Sequence, residues 1–224
     1  MSLVNCGAEL ARKWAITCVS VAFAGGGMSS FLTFADPAFG AASATVTKPM
    51  VLRPVSAFEK IGDKNLRAVA LFEEAGKVIQ SARCMNCHPA TERPTQTDKI
   101  RPHQPLVVRG EAGMGPQGGL ACNSCHHEAN FDPARVPGHP QWRLAPAEMA
   151  WQGRTLGQVC AQIKDPSRNG GKDMPALVKH MSEDSLVGWA WSPGAGRTPA
   201  PGTQKAFGAL VKAWAAAGAA CPKS

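Results

Sequence analysis

The sequence has little that would build a β-sheet or a multi-span membrane domain. Tyrosine is absent, and no stretch alternates apolar and polar residues as a half-buried strand does. A single apolar run, near the N-terminus, is long enough to cross a bilayer. Acidic residues number 16 against 24 basic ones, a formal net charge of +8. No recognised nucleic-acid-binding motif accompanies this charge, so a docking surface for an acidic protein or an anionic membrane is the better interpretation.

Apolar residues recur at helical spacing in several segments, so the predicted class is mainly α with much irregular loop. Thr155-Leu156-Gly157-Gln158 has the form of a capping box and predicts a helix that ends at Asp165-Pro166. The other predicted helices are residues 65–82, with Leu66 among the inward residues, a short helix with Pro175 in its first turn, one capped by Ser182, and a last helix from Thr203 to Gly218. Residues 89–119 and 130–146 are predicted loops.

The N-terminus is typical of an export signal. Arg12 and Lys13 precede an uncharged, mostly apolar run, and Ala42-Ser43-Ala44 matches a signal-peptidase site. We therefore predict a signal peptide over residues 1–44, with an uncleaved N-terminal anchor as the alternative. An extended lead-in, 45–64, would then precede one domain, 65–224, and the protein would be periplasmic.

Two short segments carry the chemistry: Cys84-Met85-Asn86-Cys87-His88 and Cys122-Asn123-Ser124-Cys125-His126. Both read C-x-x-C-H, the attachment signature of a c-type haem. Cysteines three apart lie on one face of a helical turn, where their sulfurs can add to the two vinyl groups of one porphyrin. The following histidine can then bind the iron as proximal ligand. The sequence predicts two covalent haems, held by Cys84, Cys87, Cys122 and Cys125, with His88 and His126 on the irons.

The alternative is a zinc ribbon, which also repeats C-x-x-C. The 34 residues between Cys87 and Cys122 exceed the usual ribbon gap of about 15–20 residues. A ribbon also does not need a histidine after each pair. Two covalent haems are therefore preferred, and with them a core built partly around the porphyrins.

Two cysteines beyond the signal segment remain outside the motifs, Cys160 and Cys221. An even pair in an oxidising compartment predicts a disulfide between them. The alternative is two buried thiols, which would behave as small apolar residues.

Each iron needs a sixth ligand, and no histidine precedes the first motif, so distal histidines must come from further along the chain. His103 lies between two prolines in Arg101-Pro102-His103-Gln104-Pro105, and His180 lies on a predicted helix; both are first candidates. Met174, followed by Pro175, is the alternative, because it resembles the axial-methionine loop of small class I cytochromes c. The placement of His103 resembles that in the small dihaem subunit of periplasmic nitrate reductases. His127 and His139 are weaker candidates.

The stretch from Cys122 to Cys221 contains further segments that resemble one group of proteins. They are Leu144-Ala145-Pro146, Gln162-Ile163-Lys164-Asp165-Pro166-Ser167-Arg168-Asn169-Gly170-Gly171, Leu186-Val187-Gly188-Trp189-Ala190-Trp191 and Pro199-Ala200-Pro201-Gly202-Thr203-Gln204. Together they are similar to the dihaem cytochromes that carry the label "isoquinoline 1-oxidoreductase subunit" and occur with molybdenum hydroxylases. The resemblance implies a periplasmic electron acceptor for a molybdenum or similar dehydrogenase. It does not imply oxidation of isoquinoline by this chain, which has no molybdopterin or iron–sulfur signature.

These observations predict an electron-transfer protein rather than an enzyme. It would pass single electrons between a dehydrogenase and the respiratory chain, and its partner would be another redox protein with an acidic docking surface. A dihaem peroxidase or a haem-based sensor is the alternative. Either would need one iron with an open or labile sixth position, and the sequence offers no acid–base pair placed over a haem.

Overall fold

The computed structural model describes residues 50–110 and 121–224. Its α-helices are α1 (Lys64–Ile79), α2 (Ala82–Met85), α3 (Leu156–Ile163), α4 (Met174–Glu183), α5 (Ser185–Gly188) and α6 (Gln204–Ala216). Short 3-10 turns cover Val55–Phe58, Cys122–Ser124, Asp132–Ala134, Ala147–Met149 and Trp189–Trp191. Two short strands, β1 (Thr95–Gln96) and β2 (Arg101–Pro102), pair antiparallel. The predicted signal peptide or anchor, residues 1–44, lies outside the described residues, none of whose helices is long and apolar enough to cross a membrane.

Side-chain caps explain where the four longest helices begin. Asp63 accepts a hydrogen bond from Leu66 N at 2.8 Å and starts α1. Thr155 and Gln158 form the predicted capping box of α3, with both reciprocal bonds present. Asp173 caps α4 and Thr203 caps α6 in the same way. Each cap satisfies a main-chain N–H that the first helical turn cannot pair internally.

The core forms where α6 packs against α1 and α4. Phe72 of α1 and Trp214 of α6 are fully buried, and their ring centres lie 4.9 Å apart. Other buried residues of the two helices are Ala68, Leu71, Ala75, Val78, Ile79, Phe207, Leu210 and Val211. These residues recur every three or four positions, so each helix turns a single apolar stripe toward the other.

The C-terminal tail is fixed to α3. Cys160 and Cys221, the pair expected from the cysteine count, form a disulfide with a Cα–Cα distance of 5.6 Å. Trp214 Nε1 donates to Ala220 O at 2.9 Å, and Lys164 Nζ donates to Ala219 O at 2.8 Å. A Cβ at Gly157 would meet Pro222 O at 2.5 Å, so the tail passes directly over α3. The last residues of the chain are therefore part of the fold.

The mainly helical class with much irregular chain is as predicted, but several details differ. The helix predicted over 65–82 ends at Ile79, Ser81 is extended, and a separate turn, α2, carries the first motif. Leu66, predicted to face inward, is 64% exposed. Asp184 rather than Ser182 caps α5, because Ser182 Oγ donates back to Val178 O within α4.

Two segments are also more structured than predicted. The lead-in expected to be extended contains the turn Val55–Phe58, and Phe58 is buried in the core. The predicted loop 89–119 contains the β1–β2 ribbon within its described part.

Candidate functional site

The first C-x-x-C-H motif lies at the end of α2. Cys87 N and His88 N both donate to Cys84 O, so the motif closes one helical turn. A later segment crosses over it, where Ala145 N donates to Cys87 O and Trp151 N donates to His88 O, each at 3.0 Å. The two cysteines and the histidine are thus held by their own turn and by a distant part of the chain.

His88 is oriented for binding through Nε2. Its Nδ1 lies 2.7 Å from Met149 O, and because a carbonyl can only accept, Nδ1 carries the proton. The ring stacks on Trp151, with ring centres 3.5 Å apart and planes 3° from parallel. Burial lowers the pKa of His88 to about 4. The ring is therefore neutral at pH 7, with its lone pair on Nε2, which is the state a metal requires.

A cavity opens beside Cys84, Cys87 and His88. The volume open to the centre of a water molecule is about 180 Å³, against the roughly 10–15 Å³ that one water needs. Its apolar lining includes Ile79, Leu144, Ile163, Leu177, Leu186, Val187 and Phe207. Its charged lining is cationic, with Arg83, Arg143, Arg168 and Lys172 and no carboxylate side chain. Such a cavity suits a large apolar group that bears negative charge at its edge.

Two buried polar atoms of the cavity lining lack partners among the described residues. Arg83 is 4% exposed; its Nη2 donates to Asp98 at 2.5 Å, but its Nε has no acceptor. Gln162 donates through Nε2 to Glu148 O, while its Oε1 has no donor. An unpaired buried polar atom is costly, so a group with its own polar atoms fits this lining better than an empty space does.

His180 of α4 lines the same cavity as His88 and is close enough to lower the pKa of His88. Its Nδ1 lies 3.2 Å from the carboxylate of Asp184, which can only accept from it. Burial lowers the pKa of His180, and Asp184 opposes that shift. Met174 begins the same helix but lines a separate groove, beside Val178 and Lys212. The structure therefore brings His180, and not Met174, to the first site.

The second motif is built on the 3-10 turn Cys122–Ser124, with His126 N donating to Cys122 O at 2.9 Å. His126 Nδ1 donates to Pro137 O at 2.7 Å, the same type of bond as at His88. Its ring stacks on Trp142, with ring centres 4.8 Å apart and planes 20° from parallel. Burial lowers the pKa of His126, which favours the neutral ring. Cys125, in contrast, is exposed.

His103 comes directly after β2 and lies beside the second motif. Its main-chain N–H donates to Pro94 O, and its carbonyl accepts a hydrogen bond from the side chain of Arg93. Its Nδ1 donates to Pro105 O at 2.9 Å. Its ring centre is 5.9 Å from that of His126. Two imidazoles on opposite sides of one metal would have ring centres about 6 Å apart, given metal–nitrogen bonds of about 2 Å and the radius of each ring. The ribbon thus places the predicted distal ligand at a suitable separation.

The two weaker distal candidates are not arranged in this way. His139 Nδ1 accepts a hydrogen bond from Gln141 N at 3.1 Å, so the proton of its neutral ring lies on Nε2. His127 is exposed next to His126. Within residues 50–110 and 121–224, His88, His103, His126 and His180 share a protonated Nδ1.

The cysteines are not arranged as a zinc ribbon would require. A structural zinc takes four ligands around one point. No three His, Cys, Asp or Glu side chains of the described residues are grouped around a common point. Burial raises the pKa of Cys84 to about 12, with the nearby Cys87 adding to the shift, and it raises the pKa of Cys87 to about 11. Both are therefore protonated thiols at neutral pH.

Several residues of the two sites could not be identified from the sequence. The sequence does not show which residues Trp142 and Trp151 contact, and each stacks on a motif histidine. The carbonyls of Pro137 and Met149 orient those histidines. A main-chain carbonyl leaves no signal in sequence, because every residue has one. The tryptophans could have been suspected from their position after the motifs, but not assigned to a partner.

Comparisons with protein families, with curated proteins and with solved structures found no match to this chain.

Proposed function

We propose that the protein is a dihaem c-type cytochrome that transfers single electrons in the periplasm. The observation that carries this proposal is the shared arrangement of the two motif histidines. Each donates from Nδ1 to a main-chain carbonyl at 2.7 Å, and each stacks on a tryptophan. His103 has its ring centre 5.9 Å from that of His126, and His180 lines the cavity beside His88. Both are themselves oriented through Nδ1.

The residues at both sites have roles that suit this group. Cys84 with Cys87, and Cys122 with Cys125, would form the thioethers. His88 with His180, and His126 with His103, would hold the two irons. The cations of the first cavity, Arg83 with its unpaired Nε among them, suit carboxylates at the edge of the group. A bound haem would supply a one-electron couple between ferrous and ferric iron, and two histidine ligands would give it a lower potential than one histidine and one methionine.

The partner is proposed from charge and resemblance. The net charge of +8 favours a redox partner with an acidic docking surface. The resemblance to the cytochromes that accompany molybdenum hydroxylases suggests a dehydrogenase as the donor and the respiratory chain as the acceptor. Periplasmic location rests on the signal-like residues 1–44 and on the Cys160–Cys221 disulfide, since disulfides persist in oxidising compartments.

The test is to express the protein in a host that attaches c-type haem. Mass spectrometry is expected to show two haem additions, and the optical spectrum is expected to show low-spin iron at both. His180→Ala and His103→Ala should each convert one haem to the high-spin form. His139→Ala and Met174→Ala are the matched controls and should leave both haems low-spin.

Three results would contradict parts of this proposal. A chain without haem would reject the cytochrome assignment. Two low-spin haems in His103→Ala or His180→Ala would reject that residue as a ligand. A high-spin haem in the unaltered protein, with rapid binding of peroxide or carbon monoxide, would favour a peroxidase or sensor instead.

A further inference from the structure

Trp142 touches both candidate sites. It lines the first cavity, together with His88 and His180. Its ring also stacks on His126 of the second site, with ring centres 4.8 Å apart. One half-buried side chain therefore lies against the space beside one motif and against the histidine of the other.

Neighbouring contacts hold the Trp142 ring in this position. Trp142 N donates to His139 O at 3.0 Å, which fixes the main chain. The ring of Trp189 meets that of Trp142 at 83°, with ring centres 4.9 Å apart, an edge-to-face geometry that aromatic pairs favour. Trp189 is itself held, because its Nε1 donates to Asn130 Oδ1 at 2.9 Å. The main chain and the ring of Trp142 are thus each held by a neighbouring residue.

The other described tryptophans do not combine these two contacts. Trp151 stacks on His88 and belongs to the first site. Trp191 packs on Phe207 and donates to Pro201 O, and Trp214 packs on Phe72. Trp189 lines the first cavity, and its ring contacts Trp142 and the guanidinium of Arg83 rather than His126.

We propose that Trp142 is the bridging residue through which the two irons exchange electrons, an inference that rests on the proposed function. In this step one electron leaves the iron held by His88 and reaches the iron held by His126, or the reverse. The first iron is oxidised by one electron and the second is reduced by one. No bond forms or breaks, and Trp142 keeps its own electrons. Electronic coupling falls steeply across gaps, so a stacked ring that fills the space between the sites speeds the exchange.

The test compares Trp142→Leu and Trp142→Phe with Trp191→Leu in the full chain carrying haem. Mass spectrometry gives the haem content, and the optical spectrum gives the spin state. Two-dimensional exchange NMR on the half-reduced protein, using the haem methyl signals, gives the rate of intramolecular electron exchange. We expect Trp142→Leu to slow this exchange several-fold, Trp142→Phe to slow it less because an aromatic ring remains, and Trp191→Leu to leave it unchanged.

The outcomes separate this inference from the proposed function. A parent protein without haem overturns the function. Two low-spin haems with an unchanged exchange rate in Trp142→Leu overturn the bridging role and leave the function intact. An equal slowing in Trp191→Leu would also overturn it, because the effect would then be general to lost aromatic packing. If Trp142→Leu loses its second haem, Trp142→Phe decides: an exchange rate equal to that of the parent rejects the proposal.

Discussion

The same five-residue motif occurs in two different settings in this protein. At the first site, the carbonyl that orients His88 belongs to Met149, 61 residues away, and the surrounding cavity is lined by core residues of α3, α4 and α6. At the second site, the carbonyl that orients His126 belongs to Pro137, only 11 residues away, in a loop without a long helix. The motif therefore determines which residue types a site contains but not how deeply the site is built into the fold.

The difference has a thermodynamic consequence. Contacts between residues far apart in sequence form only when the whole chain is ordered, whereas a loop of 11 residues can close locally at small entropic cost. We expect loss of the first site to destabilise the entire domain. Loss of the second site should destabilise the domain less, although Asn130 also ties its loop to Trp189 and Ser192.

The largest expected effect comes from removing one motif at a time. Cys84→Ala with Cys87→Ala should leave one haem and an unfilled first cavity. At about 24 cal/mol per Å³ of cavity, the 180 Å³ volume corresponds to about 4 kcal/mol of unfolding free energy. Cys122→Ala with Cys125→Ala should also leave one haem but lower the stability much less.

Mass spectrometry and thermal melting of the two double variants check this prediction. A loss of about 4 kcal/mol corresponds to a Tm lower by about 10 °C in a chain of this size. Equal melting temperatures for the two variants would show that the sites contribute equally to stability, contrary to the comparison above.

The next largest effect on stability is expected from the disulfide, which joins the C-terminal tail to α3. Cys221→Ser releases the C-terminal tail from α3, which contributes Gln162 and Ile163 to the first cavity. Opening a link across 61 residues should cost about 3 kcal/mol. Both haems should stay attached, because the thioethers do not depend on this bond.

Non-reducing peptide mapping and thermal melting test the disulfide prediction. The unaltered protein should give one linked peptide containing Cys160 and Cys221. Alkylation of both residues in unreduced, denatured protein would exclude the bond, and an unchanged melting temperature in Cys221→Ser would show that the tail adds little.

A smaller effect is expected at Glu74 of α1, on the helix that leads into the first motif. Burial alone would raise the pKa of this carboxyl, but hydrogen bonds from Lys77 and Arg53 outweigh it and lower the pKa below the ordinary value of 4.5. Arg53 and Lys77 remain partly exposed, so Glu74→Gln should cost only about 1–2 kcal/mol near neutral pH.

The pH dependence of this effect has a definite sign. A carboxyl whose pKa is lower in the folded state stabilises the fold above its unfolded pKa and loses that contribution as the pH falls through the folded pKa. The stability difference between Glu74→Gln and the parent should therefore shrink below pH 4.5 in denaturant titrations. Glu73→Gln, at the neighbouring exposed position, is the matched control. A difference that grows on acidification would contradict the assignment.

The smallest effect on global stability is expected at Asn130, which organises the loop of the second site. Its Oδ1 accepts from Gly138 N and from Trp189 Nε1, and its Nδ2 donates to Ser192 O. Asn130→Ala should loosen the segment that carries Pro137, at a cost of about 1 kcal/mol. Faster hydrogen exchange over residues 127–138, with little change in Tm, is the expected result.

Asn130→Asp serves as the matched variant, since it keeps the acceptor oxygen for Gly138 and Trp189 and loses only the bond to Ser192. Hydrogen exchange in the loop should be slower in Asn130→Asp than in Asn130→Ala. If both substitutions lower the Tm as strongly as loss of the first motif does, the second site is not local.

Much of the secondary structure could be predicted because its signals are short-range. Thr155 and Gln158 lie three residues apart and form the capping box by themselves, and Thr203 and Gly218 bound α6 for equally local reasons. Ser81 shows the limit of such reasoning. Residues 65–82 have a continuous helical pattern, yet Ser81 is extended and separates the first motif from α1. The motif then forms main-chain hydrogen bonds with residues 145–152.

The sequence by itself determines the residue types of the two sites: the cysteines three apart, the histidine after each pair, and the pair Cys160 and Cys221 left over. These follow from covalent chemistry and from the count of residues, and they need no fold. Tertiary structure decides which histidine faces which motif, that Met174 lies in another groove, and that Trp142 lies between the sites. The physical reason is distance along the chain. His180, Met149 and Trp142 reach their partners only after the helices have packed, and packing depends on all the buried residues at once.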